Sequence, residues 1–177
     1  MAISISAIVP ATPSDGKVSY SLSLSLSFSH RFSVFELTDS FYRKGENVST
    51  NEVEAVIQKV VKLSDCVVFG VAIQHCDGKC GMAVIADPNR TIELDTLYRE
   101  LTKRLPAFAI PLFVRITSKI ELTGSFKLSK TNLEKEGFDP KRVSGGDPLY
   151  FLDRKVGAYV PLDAALYDDI QSGRLML

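Results

Sequence analysis

Two strand-like runs that flank an Asp77-Gly78 pair place the strongest constraint on what this chain can fold into. Residues 66–73 form a β-branched, apolar run, and residues 81–86 form a second run of similar character. Runs of this composition are typical of buried strands, and an Asp-Gly pair between strands is typical of a tight turn. The sequence therefore predicts an antiparallel hairpin that other elements must cover.

Helical spacing on either side of the hairpin predicts those covering elements. Ser49, followed three residues later by Glu52, has the pattern of a capping box, and apolar residues then recur at helical spacing over residues 50–62. The other predicted elements are a strand at residues 41–44, a helix at 93–104, a strand at 112–116 and a short helix at 131–136. The predicted fold class is α+β, with a small sheet of about three strands, including the hairpin, covered by helices.

The length of 177 residues allows one domain with a core and tails. Residues 1–34 contain serines that alternate with apolar residues, and we expect a low-complexity extension that is disordered or weakly β. Residues 35–143 form the expected domain, and residues 144–177 form an expected tail, with aromatic anchors, packed on it.

The 21 basic and 21 acidic residues balance, which disfavours a dedicated nucleic-acid-binding protein. No stretch approaches the roughly 20 apolar residues of a membrane-spanning helix.

The three cysteines are Cys66, Cys76 and Cys80, and an odd number does not suggest a disulfide framework. We expect a reduced protein with one buried cysteine and two loop thiols. His75, Cys76, Asp77 and Cys80 raise the alternative of a metal site. Their spacing matches no standard zinc pattern, so we favour the hairpin interpretation and predict no metal ligands.

A glycine turn directly before a lysine, at Gly124 to Lys127, is a candidate functional motif. A turn of this kind can present one ammonium group to a phosphate or a carboxylate, although a solvated lysine after a turn is the simpler alternative. A second candidate is the loop from Arg43 to Asn47, in which Gly45 would let another backbone or a ligand approach closely. The simpler alternative there is a turn between a strand and a helix.

Several separate motifs resemble the C-terminal domain of the fatty-acid transport protein and very-long-chain acyl-CoA synthetase family, within the adenylate-forming superfamily. They are KGENVST (residues 44–50), EVE (52–54), GSFK (124–127) and KEGFDP (135–140). DPLYFLD (147–153) and YVPLD (159–163) are similar to this family in particular. The resemblance covers about residues 39–177 and does not extend to residues 1–34.

The resemblance implies a role for each candidate residue. Lys127 corresponds to the adenylation lysine, which bridges the fatty carboxylate and the α-phosphate, and Gly124 supports its turn. Lys44, Gly45 and Glu46 correspond to the loop that enters the active site for thioester formation and lines the channel for coenzyme A. One departure is that the Asp-Arg pair usual at the interdomain hinge is replaced, by our count, at residues 35 and 36.

The resemblance also implies cofactors, partners and a location. The complete family enzyme uses ATP, Mg and coenzyme A to activate long- or very-long-chain fatty acids, coupled to fatty-acid uptake, and its large N-terminal adenylation domain binds ATP and the fatty acid. We expect this chain to be the C-terminal lid alone, to bind none of these cofactors by itself, and to be inactive without the large domain. The expected location is cytoplasmic, or peripheral on the cytosolic face of the endoplasmic reticulum or plasma membrane. The alternatives are a non-catalytic module that docks on a full-length synthetase, or an inert fragment.

Overall fold

A mixed β-sheet of five strands is the centre of the described structure, a computed structural model in which residues 40–43, 45–62, 65–121, 130–175 and 177 are described. All of these residues lie in one compact unit. The strands are β1 (Ser40–Arg43), β2 (Glu46–Ser49), β3 (Cys66–Ala72), β4 (Lys79–Ala86), β5 (Phe113–Thr117), β6 (Leu149–Asp153) and β7 (Ala158–Pro161). The helices are α1 (Thr50–Val60), α2 (Leu94–Arg104), α3 (Lys130–Glu136) and α4 (Ala164–Gln171). The extension predicted at residues 1–34 lies outside the described residues.

The strand order in the main sheet is β3-β4-β5-β6-β7, and β1 pairs with β2 in a separate two-stranded sheet. Strand β4 pairs with β5 in parallel, and every other pair in the main sheet is antiparallel. A parallel pair needs a crossover connection, and α2 supplies it. The α+β class with a hairpin is confirmed. The sheet has five strands rather than about three, because residues 144–177, expected as a tail, contribute β6 and β7 to it.

The predicted β3–β4 hairpin is confirmed, with Phe69 opposite Met82 and Gly70 opposite Gly81. Its connection is longer than the tight turn expected at Asp77-Gly78, because pairing stops at Ala72 and Lys79. The expectation that Cys80 is a loop thiol is wrong. Cys80 lies in β4 and is buried, since that strand begins earlier than its apolar run suggested.

Helix α1 confirms the predicted capping pattern at its start. The Ser49 side chain accepts a hydrogen bond from the backbone N–H of Glu52, which satisfies one of the free N–H groups of the first turn. Val53 and Ile57 are buried on the inner face of α1, and Leu97 is likewise buried in α2. The apolar stripes of the two helices therefore cover the sheet as their spacing predicts.

Aromatic packing joins the last third of the chain to the sheet. The rings of Phe113 in β5 and Phe138 after α3 stack with centroids 4.1 Å apart, and Phe138 also contacts Tyr167 of α4. The buried Tyr159 hydroxyl donates to the carbonyl of Pro111 at 2.7 Å. Burial raises the pKa of Tyr159, with a further contribution from Tyr98, so this hydroxyl remains a donor.

Candidate functional site

The structure describes some of the predicted site residues and not others. Lys127, Gly124 and Lys44 lie outside the described residues, so their assigned roles stay predictions. Gly45 and Glu46 are described, and both are exposed at the end of the β1–β2 hairpin. Gly45 has φ of +86°, a left-handed conformation that glycine adopts without a steric penalty. The backbone conformation of the turn by itself therefore explains why glycine occupies this position.

Phe41 anchors the β1–β2 hairpin to the main sheet. It is 2% exposed and lies across the paired glycines Gly70 and Gly81 of β3 and β4. A Cβ placed on Gly70 would lie 2.5 Å from the Phe41 Cβ, and a Cβ on Gly81 would lie 2.8 Å from the Phe41 Cζ. The two glycines thus leave a flat site for the ring, and this contact fixes the hairpin that carries Gly45 and Glu46.

Arg43 follows Phe41 on the same face of β1, because alternate residues of a strand point to the same side. Its backbone makes an isolated antiparallel bridge with Gly78 in the β3–β4 connection. Arg43 is 2% exposed, and burial lowers the pKa of its guanidinium. The bridge between Arg43 and Gly78 is therefore a second contact that holds the hairpin, and it places the buried Arg43 beside the β3–β4 connection.

Two anchors flank the segment that contains Lys127. Before it, Ile120 is buried and the Thr117 hydroxyl donates to the Lys119 carbonyl at 3.1 Å. After it, the Lys130 ammonium at the start of α3 lies 3.0 Å from a carboxylate oxygen of Glu54 in α1. Lys130 also lies 3.4 Å from the hydroxyl of Thr50. The described residues on either side of positions 122–129 are therefore both held in the folded domain.

Glu54 connects this anchor to the edge of the main sheet. Its Oε1 accepts a hydrogen bond from the backbone N–H of Val68 at 2.8 Å, and β3 is an edge strand that has unpaired backbone groups on its outer side. These two contacts give Glu54 a structural role. The same carboxylate raises the pKa of the Cys66 thiol, although burial is the larger cause.

Sequence reasoning missed a buried ion-pair network around Arg115. The Arg115 guanidinium, in the middle of the apolar strand β5, binds Asp147 with an N–O distance of 2.8 Å and also pairs with Glu136 at the end of α3. Arg115 is 4% exposed, and a buried arginine of this kind needs carboxylate partners. A single arginine within the run FVRIT is the sequence signal that could have indicated such partners.

The residues of these ion pairs also line an open groove. The groove is lined by Arg115, Thr117, Ser118, Lys119, Ile120, Glu121, Asn132, Leu133, Lys135, Glu136, Gly145 and Asp147. The described part of the chain contains no cluster of three or more histidine, cysteine or acidic side chains that could hold a metal ion.

Residues 52–127 match the family described as AMP-binding enzyme C-terminal domain. The chain carries an AMP-binding enzyme C-terminal domain. It is 46% identical over 139 residues to long-chain fatty acid transport protein 1 of Mus musculus, a match that covers 78% of this chain and 21% of the relative. Its identity with long-chain fatty acid transport protein 6 of Mus musculus is 44% over 142 residues, covering 80% of this chain and 23% of that relative. The resemblance to the fatty-acid transport protein family is confirmed, and the chain spans 21% of the length of the first of these relatives.

The fold of this C-terminal domain also occurs in solved structures of CoA synthetases. An o-succinylbenzoate CoA synthetase from Bacillus subtilis aligns with a TM-score of 0.50 and 23% identity, over 56% of this chain and 20% of that one. A fatty acyl CoA synthetase from Mycobacterium tuberculosis aligns with a TM-score of 0.50 and 24% identity, over 55% of this chain and 19% of that one. Within the described ranges, every helix is too short or too polar to cross a bilayer.

Proposed function

We propose that this chain acts as the C-terminal lid of a long- or very-long-chain fatty acid–CoA ligase. The observation that carries the proposal is its 46% identity over 139 residues to a long-chain fatty acid transport protein. In the complete enzyme, a large N-terminal domain would bind ATP, Mg and the fatty acid, and coenzyme A would enter for the second half-reaction. By itself the lid has no turnover, because its residues supply only part of the active site. We place the complete enzyme on the cytosolic face of a membrane.

Lys127 would act in the first half-reaction, in which the fatty carboxylate attacks the α-phosphate of ATP and pyrophosphate leaves. The ammonium group would lie between the two anions and stabilise the negative charge that develops on the transferred group. The contacts of Ile120 and Lys130 support this role, since they hold the residues before and after positions 122–129 in the folded domain. Positioning and electrostatics, rather than covalent participation, are what a lysine contributes to such a transfer.

Gly45 and Glu46 would act in the second half-reaction, after the lid has turned to a new orientation. Gly45 offers an exposed backbone that a thiol-bearing arm could approach closely. The contact of Phe41 with Gly70 and Gly81 supports this role, because it holds the hairpin in one orientation relative to the domain. Lys127 and Gly45 thus belong to two different half-reactions of one ligase.

The test supplies the large domain of a fatty acid transport protein in trans and measures the two half-reactions separately. We expect Lys127→Ala to lower acyl-adenylate formation roughly 100-fold or more, the size of effect seen when one electrostatic donor is removed. Thioester formation from preformed acyl-adenylate should change little. Gly45→Ala should show the reverse pattern, and Lys59→Ala, at an exposed position of α1, is the matched control. Equal losses in both half-reactions for Lys127→Ala, or turnover by the 177-residue chain alone, would contradict the proposal.

A further inference from the structure

The turn between β6 and β7 carries an exposed valine beside two exposed cations. Val156 is 68% exposed, and Arg154 and Lys155, which precede it in the chain, are exposed as well. A single exposed apolar side chain is common on protein surfaces and by itself indicates no binding site. The surroundings of the turn distinguish Val156 from such a residue.

The turn is ordered by its own hydrogen bonds. The Oδ1 atom of Asp153 accepts from the backbone N–H of Lys155 at 2.8 Å and from that of Val156 at 3.3 Å. The Asp153 carbonyl accepts from the N–H of Gly157 at 2.7 Å. Val156 is therefore presented to solvent by a turn with a fixed backbone, because each of the last three residues of the turn donates to Asp153.

Contacts join this turn to the end of α2 and the loop that follows it. The Nη2 atom of Arg154 donates to the carbonyl of Ala107 at 3.0 Å, and a Cβ placed on Gly157 would lie 3.9 Å from Cε1 of Tyr98 in α2. Ala107 and its neighbour Pro106 follow α2 in the chain, and both are exposed. The two segments therefore lie side by side, and their exposed apolar residues lie among cations.

Cations outnumber carboxylates on these two segments. In the last turn of α2, the side chains of Lys103 and Arg104 are 66% and 50% exposed, and both pair with the single carboxylate of Glu100, at 2.6 and 3.1 Å. Two cations that share one carboxylate keep a net positive charge. The β6–β7 turn adds two cations and one carboxylate, whose oxygen accepts the two backbone hydrogen bonds described above. We call the following residues the basic tip: Lys103, Arg104, Arg154, Lys155 and Val156.

We propose that the basic tip docks on a membrane surface that contains anionic lipids. Each lysine or arginine near such a surface is attracted to its negatively charged headgroups. An apolar side chain among these cations can enter the boundary between headgroups and acyl chains. A flexible acidic polypeptide would match the cations equally well, but it has no apolar layer that could cover Val156. The exposed valine therefore favours a lipid surface.

This inference deepens the membrane location proposed above and rests on it for its cellular setting. It adds the surface of the domain that contacts the membrane and the class of lipid that this surface recognises. Binding to vesicles needs neither ATP nor a fatty acid. A failure of the basic tip and a failure of the ligase role, which Lys127→Ala tests, are therefore seen in separate assays.

The first experiment measures sedimentation of the 177-residue chain with lipid vesicles. We expect binding to phosphatidylcholine vesicles that contain about 30% phosphatidylserine, and little binding to phosphatidylcholine alone. Raising the salt concentration from about 0.1 M to about 0.5 M should weaken the binding about tenfold, because exposed charges are then screened over a shorter distance. Equal binding to the two kinds of vesicle, or no binding to either, would overturn the proposal.

Variants test whether the basic tip is the surface in contact with the vesicles. The double variant Arg154→Gln and Lys155→Gln should bind about 10- to 30-fold more weakly, since each cation contributes about fivefold. Lys155→Gln alone, which keeps the contact of Arg154 with Ala107, should bind about fivefold more weakly. This single variant tests the surface even when the double variant does not fold, which circular dichroism checks.

The matched control is the double variant Lys141→Gln and Arg142→Gln, which removes the same charge from two neighbouring exposed positions. The residues on either side of these positions line a groove with Tyr150 and Pro161, and these two form the pair of β6 and β7 farthest from the turn. Charges more than about 10 Å from the membrane are largely screened at about 0.1 M salt, so the control should bind within about twofold of wild type. An equal loss in the two double variants would overturn the proposal.

The second experiment separates a lipid surface from an acidic partner, with polyglutamate as the acidic probe. Val156→Ser should weaken binding to the vesicles about threefold to tenfold, because the apolar side chain no longer leaves water. Binding to polyglutamate should not change in this variant, since its charges are intact. An unchanged affinity for vesicles, or an equal loss with both probes, would assign the basic tip to acidic partners in general and overturn the lipid assignment.

Discussion

Phe41 packs against Gly70 and Gly81 through different atoms, so a methyl group added to each glycine has a different predicted consequence. A Cβ on Gly81 meets the tip of the ring, with Cζ at 2.8 Å and Cε1 at 3.3 Å. A Cβ on Gly70 meets the Phe41 Cβ itself at 2.5 Å, an atom that the backbone fixes. The ring tip can tilt away, whereas the Phe41 Cβ moves only if the strand moves.

These distances give the expected magnitudes. Overpacking of a well-packed site typically costs about 1–3 kcal/mol of unfolding free energy. We expect Gly81→Ala to lie near the lower end, about 1–2 kcal/mol, and Gly70→Ala near the upper end, about 2–3 kcal/mol. The small intrinsic gain from replacing glycine in a strand, about 0.5–1 kcal/mol, is included in these values.

Replacing Phe41 by leucine separates the two effects. Leucine removes Cε1 and Cζ but keeps the Cβ, so the cost of Gly81→Ala should fall below about 0.5 kcal/mol in this background. The cost of Gly70→Ala should stay the same, because its clash partner is still present. Phe41→Leu therefore couples to Gly81→Ala by about 1 kcal/mol or more and does not couple to Gly70→Ala.

The assay is urea unfolding of the 177-residue chain, followed by circular dichroism, for the five single and double variants and wild type. Hydrogen exchange of the β1–β2 amides is the control that the hairpin stays docked in Phe41→Leu. Equal costs of Gly81→Ala in the two backgrounds would refute the argument that the ring tip requires this glycine. A cost of Gly70→Ala that disappears with Phe41→Leu would equally refute the assignment of its clash to Cβ.

Two further predictions concern carboxylates that accept backbone hydrogen bonds. Burial alone raises the pKa of Asp87, but hydrogen bonds that it accepts, including one from the Ile92 N–H at 2.7 Å, bring it below the ordinary value of an aspartate. A carboxylate whose pKa is depressed in the folded state stabilises the fold at pH values above its unfolded pKa, and this stabilisation is lost as pH falls through the folded pKa. Asp87→Asn should therefore cost about 1 kcal/mol of unfolding free energy at pH 7 and progressively less below about pH 4, as measured by urea unfolding at each pH. A cost that does not change with pH would contradict the assignment. Glu54→Ala should cost about 2 kcal/mol, more than the about 1 kcal/mol of Lys130→Met, because it also leaves the Val68 N–H without its acceptor. The double variant should cost less than the sum in the same assay, and strict additivity would show that the two groups do not interact.

Local patterns of the sequence were enough for the elements whose signals lie within one turn or one strand. The capping pattern of Ser49 and Glu52, the helical stripe of α1 and the two runs of the β3–β4 hairpin each predicted what the structure shows. The family was also evident from motifs, since KGENVST and GSFK are short and contiguous. These features depend on neighbours along the chain, which a single sequence displays directly.

The tertiary structure alone decided the features that join residues far apart in the chain. The parallel pairing of β4 with β5, the two strands from the last third of the chain and the ion pairs of Arg115 all depend on long-range register. The clearest case is Phe41, whose Cβ makes Gly70 necessary and whose ring tip makes Gly81 necessary. Arg43 is another, because nothing in a charged residue next to an exposed loop predicts that it is buried. By itself the sequence determined the elements, the family and the candidate residues Gly45 and Lys127. Packing determined which glycines and which arginine hold the hairpin in place, because burial and steric contact arise only when distant segments meet.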